Sequence, residues 1–168
     1  MKAAADEIIA ARATYICGVG IAYSDARNFA YLANMALDNV SAIPQEGSLP
    51  VDGLVQARRG DVLIAMTFKP FRLEVVEAVN VARRQGVTVI GVSDTPASPI
   101  LSDAAHRFII PTDTPQFFSS TIALSAFIET LMAFVIADAN KEAVNNIERF
   151  HRRRRELGIY LTDTDRLT

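Results

Sequence analysis

The sequence predicts an α/β fold, a five-stranded parallel sheet covered by helices on both faces. Three observations predict it. Helical and strand patterns alternate along the 168 residues, with no repeat and no low-complexity linker. The segments 61–67 (DVLIAMT) and 87–93 (VTVIGVS) are continuous apolar runs rather than alternating ones, as expected of strands buried on both faces. Half the residues are hydrophobic and 21% are charged, which is enough apolar material for one sizeable core.

The elements follow in order. Residues 3–12 read as a helix, and 14–17 (TYIC) as a short apolar strand ending at Gly18. Residues 24–38 have helical spacing, with Phe29, Leu32, Met35 and Ala36 on one face and Ser24 placed to cap the start. A second strand spans 40–43 and a loop 44–48. A short helix is expected over 50–58, with Pro50 in its first turn. After the strand at 61–67, a helix runs over 72–85 and stops at Gly86. The strand at 87–93 leads through a turn at 94–99 into a short helix ending at Ala105. A fifth strand covers 107–110 and ends at Pro111. Two helices, 116–138 and 140–157, close a single domain, and a polar tail follows.

Composition excludes several classes. A net charge of −2 gives no general nucleic-acid footprint, so any basic patch is local. The single cysteine, Cys17, rules out an intramolecular disulfide and a cysteine-rich zinc site. Residues 1–12 contain Asp6 and Glu7 and lack the apolar core of a secretory signal, so the expected location is a reducing cytoplasm. The run 117–136 (FFSSTIALSAFIETLMAFVI) has the length of a membrane span, but it carries Glu129 and several hydroxyls. It reads better as a helix buried between the sheet and a partner subunit.

In a parallel sheet of this kind, ligands bind beyond the carboxyl ends of the strands. The loop 18–24 (GVGIAYS) offers Gly18 and Gly20, which allow close backbone approach, and then Ser24 and the start of a helix. Tyr23 stands where a dinucleotide fingerprint needs its third glycine, so no nucleotide cofactor is expected. The loop 67–74 (TFKPFRLE) places Thr67, Lys69 and Arg72 at a helix start. Cations there oppose the helix dipole, a cost that an anionic ligand would offset; the plain alternative is a solvated loop. Ser119 and Ser120 either cap the long apolar helix or offer hydroxyls to a phosphate or sugar. The run 151–155 (HRRRR) reads as a solvated helix face with Glu148 and Glu156 as partners, rather than a nucleic-acid surface. Neither His106 nor His151 has a partner cluster, so no metal site and no catalytic base is assigned.

The blocks ICGVG, FAYLANMAL, GDVLIAMTFKPFRLEVVEAVNVARRQGVTVIGVSDTPASPILSDAAHRF, TPQFFSSTIALSAFIETLMA and RRRELGIYL occur in that order from about residue 12 to about 161. Taken together they resemble the C-terminal SIS (sugar isomerase) domain of the RpiR family of bacterial transcriptional regulators. The resemblance implies a three-layer α-β-α sandwich with flavodoxin-like topology, dimeric or tetrameric, binding a sugar phosphate or related small anion through hydroxyl-rich loops. In such regulators DNA is bound by a separate N-terminal helix-turn-helix domain. Residues 1–12 are too short to hold one and correspond to the end of a linker helix, so a piece of a longer regulator is expected ahead of a free-standing protein.

Departures from the family pattern bear on the ligand. The common Ser-x-Ser-Gly-x-Thr loop reads here Thr67-Phe68-Lys69-Pro70-Phe71-Arg72, and Ala22 stands where a serine is frequent. Cations replace hydroxyls. Glu74 matches a position commonly acidic in the family. Three functions fit: a non-catalytic sensor, favoured; an aldose–ketose phosphate isomerase, whose base would come from Glu46, Glu74, Glu129 or His106; and an oligomerisation domain with a degenerate site.

Overall fold

The computed structural model describes residues 1–139 and 141–160, so most of the expected polar tail, 161–168, lies outside the described residues. The order is α1 (Lys2–Ala10), β1 (Thr14–Gly18), α2 (Tyr23–Ala33), β2 (Val40–Ile43), β3 (Val62–Met66), α3 (Leu73–Arg84), β4 (Thr88–Ser93), β5 (His106–Ile109), α4 (Ile122–Asp138) and α5 (Lys141–Glu156). All five strands are parallel, in the order β2-β1-β3-β4-β5. Ile16 on β1 stands between Ala42 on β2 and Ile64 on β3, which fixes the register at the centre. The strand order reverses between β1 and β3, so their outgoing loops diverge and leave a crevice.

Successive strand residues face opposite sides, and each side has its own core. Ile16, Ile64, Met66, Ile90 and Val92 pack beneath α1, α2 and α4, where Ile8, Phe29, Leu124 and Leu131 are fully buried or nearly so. Cys17, Leu63, Ala65 and Val89 pack on the other side beneath α3, through Val75, Ala78, Val79 and Ala82. Every residue of β3 is buried, as its continuous apolar run predicts. Burial pushes the Cys17 thiol up to about 12, so it behaves as a small inert hydrophobe.

The strands match expectation, whereas α2 stops at Ala33 rather than at 38, with Met35 and Ala36 in the turn that follows, and the short helices do not form. Residues 50–58 form only a 3-10 turn at Asp52–Leu54. Pro50, Leu54 and Ala57 are buried while Val55 is 69% exposed, and Gly53, packed so closely on Ile43 that it has no room for a Cβ, weakens a longer helix. Residues 99–103 form turns, and no helix forms before β5. Adjacent Ile100 and Leu101 are both buried, and Leu101 crosses over Gly91 where any Cβ would meet its Cδ2 at 2.5 Å. The helix expected from 116 begins at Ile122 instead.

The long apolar helix α4 buries Leu124, Phe127, Ile128, Leu131, Met132 and Val135 and leaves Phe134, Ile136 and Ala133 exposed. Among the described residues no single helix is long and apolar enough to cross a membrane. At the amino-terminal end of β3, Asp61 is fully buried. Its Oδ2 accepts from Arg12 Nη2 at 2.6 Å and from the Arg58 N–H at 2.9 Å. This ties the α1–β1 connection to the start of the central strand.

Candidate functional site

The crevice at the carboxyl ends of β1 and β3 holds a cleft of about 310 Å³. Its first wall is the β1–α2 loop. A Cβ at Gly18 would lie 2.5 Å from the Ala22 carbonyl oxygen, so only glycine lets the loop fold down on the strand end. After it Gly20 takes φ +60°, and a 3-10 turn at Gly20–Ala22 runs directly into α2. Val19, Gly20, Ile21 and Ala22 line the cleft.

The second wall is the β3–α3 loop, and Thr67 organises it. Thr67 is buried; its Oγ1 accepts the Arg72 N–H at 3.0 Å and its carbonyl accepts Ser93 Oγ at 2.6 Å. The Lys69 N–H donates to Asp94 Oδ2 at 3.2 Å. The side chain of Lys69 is exposed at the cleft and, among the described residues, has no carboxylate partner. Arg72 occupies the cap position of α3 in an extended conformation. Its Nη2 donates to Glu74 Oε1 at 2.8 Å and its Nε to Glu74 Oε2 at 3.4 Å. These hydrogen bonds, with the charge attraction behind them, hold the Glu74 carboxyl below its ordinary range and raise the Arg72 guanidinium above its own. Arg72 Nη1 extends across the cleft, 3.7 Å from where a Cβ on residue 20 would stand.

The third wall is the loop before α4. Phe117 and Phe118 meet edge to face at 5.1 Å and are 94% and 76% exposed, with Ser119 beside them. Ser120 serves the backbone instead. Its N–H donates to the Thr112 carbonyl and its Oγ accepts the Ile122 N–H at 3.2 Å.

Of the residues singled out in the sequence, the cleft brings together Gly20, Thr67, Lys69, Arg72 and Ser119. Gly18 supports the wall from behind, and Ser120 is engaged locally. Ser24 neither caps α2 nor lines the cleft. It lies inside the first helical turn, exposed, while Ala22 holds the cap position. The candidate bases are scattered. Glu46 is exposed on the β2 loop, and His106 lies on the edge strand β5, level with Ile90 in the middle of β4, and does not line the cleft. Glu129, expected deep in an apolar helix, is exposed on α4. Glu74 is taken up by Arg72. In the basic run, Arg153 pairs with Glu156 at 3.4 Å, and Arg154 folds back to the Tyr31 hydroxyl at 2.7 Å and over the Phe150 ring.

Sequence reasoning missed the apolar half of the lining, Val19, Ile21, Phe68, Phe117 and Phe118, because an apolar residue in a loop carries no periodic signal. It also missed Asp94, whose position just after β4, at the same end of the sheet as Lys69, was the available clue.

No curated protein sequence matches the chain. Among solved structures, an RpiR transcription factor from Sphaerobacter thermophilus (sugar isomerase domain) superposes with a TM-score of 0.82 at 21% identity, covering 90% of this chain and 84% of that one. The Vibrio vulnificus NanR protein complexed with ManNAc-6P gives 0.76 at 14% identity, covering 92% of this chain and 60% of NanR. Phosphoheptose isomerase GmhA from Neisseria gonorrhoeae gives 0.64 at 20% identity, covering 80% and 82%. At these identities the likeness establishes the fold, which regulators and isomerases share. The sequence model of the SIS domain matches residues 7–137, from within α1 to the end of α4, and the chain belongs to the SIS domain family.

Proposed function

We propose that this chain is the non-catalytic sensing domain of an RpiR-type transcriptional regulator, and that its cleft binds a sugar phosphate or related small anion. One observation carries the reading. The titratable side chains lining the cleft are Lys69 and Arg72, both cationic; no carboxylate or imidazole is in the lining, and the neighbouring Glu74 is paired with Arg72. Two cations attract an anion. Moving a proton between sugar carbons needs a positioned base; Glu46, Glu129 and His106 lie away from the cleft, and both oxygens of Glu74 are directed at Arg72. The similarity of the fold to an RpiR sugar isomerase domain supports the regulatory context, in the cytoplasm, with DNA contacted by a separate helix-turn-helix domain. The apolar residues that α4 leaves exposed, Phe134 and Ile136, support a homodimer or tetramer.

The test is a turnover assay run beside a binding assay. The chain is incubated with a panel of aldose and ketose phosphates, and products are followed by NMR. Binding without interconversion is the expected result. Interconversion that is lost on changing one glutamate would replace the sensor with an isomerase.

A further inference from the structure

The β3–α3 loop has few backbone donors left for an anion. The Lys69 N–H is held by Asp94, the Arg72 N–H is held by Thr67, and Pro70 has no N–H. Two of the loop's backbone donors are thus taken and a third is missing, so much of the recognition of an anion here falls on side chains, chiefly Lys69 and Arg72. Yet Arg72 already directs its forked edge, Nε and Nη2, at both oxygens of Glu74. A planar guanidinium presents that edge to one carboxylate or one phosphate at a time. The pair is open to solvent, with the two side chains 52% and 36% exposed, so exchange of one oxyanion for another needs no rearrangement of the core. Neighbouring Glu77, one turn along α3, is exposed and makes no such pair among the described residues.

Resting on the anion-binding reading above, we infer that Glu74 is an internal competitor for the ligand, a carboxylate that occupies Arg72 and that the ligand's phosphate or carboxylate must displace. Glu74 then tunes affinity: it lowers the apparent affinity of every anion that engages Arg72 by the same factor and leaves one held by Lys69 alone unaffected.

The test titrates inorganic phosphate into the full chain by calorimetry, in wild type and in Glu74→Gln, Glu77→Gln, Lys69→Ala, Arg72→Ala and Arg72→Ala/Glu74→Gln. Glu74→Gln is expected to tighten binding about two- to fivefold, the range of an exposed ion pair converted to affinity. Glu77→Gln removes the same charge and is expected to change little. The gain should vanish when Glu74→Gln is made on the Arg72→Ala background, which isolates the pair from general electrostatics. A gain that persists without Arg72, or that Glu77→Gln matches, overturns the competitor while leaving the anion site standing. Phosphate binding that is absent throughout, or indifferent to Lys69→Ala and Arg72→Ala, overturns the anion reading itself.

Discussion

Two arginine–carboxylate pairs flank the central strand, and they have opposite fates. At the amino-terminal end of β3, Asp61 is fully buried, and Arg12 and the Arg58 N–H both donate to its Oδ2. At the carboxyl end, Arg72 and Glu74 form a fork in the open, at the mouth of a cleft. The groups are the same and the spacing along the strand is short. What differs is solvent. A buried carboxylate that loses its partner is left uncompensated in a poor solvent, so the first pair is fixed to the fold. The second pair can exchange its partner for water or another anion at little cost, so it is available for recognition.

Four perturbations separate the two ends of the strand. Asp61→Ala should be the most damaging, since it orphans the Arg58 N–H and releases Arg12; about 3 kcal/mol is expected, a fall of about 6–12 °C in melting temperature by calorimetry. The cleft end is not permissive everywhere. Gly18→Val pushes a side chain into the Ala22 carbonyl and the Ala26 methyl, and about 2 kcal/mol is expected in urea unfolding. The double change Lys69→Ala/Arg72→Ala should leave the unliganded melting temperature nearly in place while weakening anion binding by roughly tenfold or more, read by calorimetric titration. The smallest effect is in pH. Glu74 is held below its ordinary value in the folded chain, so its contribution to stability is complete above that value and fades as pH falls through the lowered one. Wild type should therefore lose slightly more stability on acidification than Glu74→Gln, measured by unfolding at descending pH.

Most of the fold was legible because buried strands and amphipathic helices repeat their signal. The continuous apolar run of β3 and the 3.6-residue spacing of α2 and α3 each involve many side chains agreeing on one face. The short segments lacked that redundancy. Residues 50–58 bury only Pro50, Leu54 and Ala57, and 99–105 bury only Ile100, Leu101 and Ala104, too few positions for a period to show. The site was half legible. Thr67, Lys69 and Arg72 stood out as hydroxyl and charge in a loop after a buried strand, and they do meet in one cleft. Ser24 drew attention as a polar residue before a helical pattern, but the 3-10 turn at Gly20–Ala22 starts the helix earlier and carries Ser24 off the cleft. Glu129 read as buried because its neighbours are apolar. α4 instead turns that side outward, and the same exposed side carries Ala133 and Ile136.

Recognition of an anionic group by the cleft is proposed to rest on Lys69 and Arg72. Its most direct test is a thermal-shift screen of wild type and of Lys69→Ala/Arg72→Ala against sugar phosphates, sugar acids and the corresponding free sugars. A ligand bound only by the folded state raises the melting temperature in a concentration-dependent way. A rise is expected with a phosphorylated or acidic sugar, none with its uncharged form, and loss of that rise in the double variant. An equal rise with the uncharged sugar, or a full rise in the double variant, would contradict it.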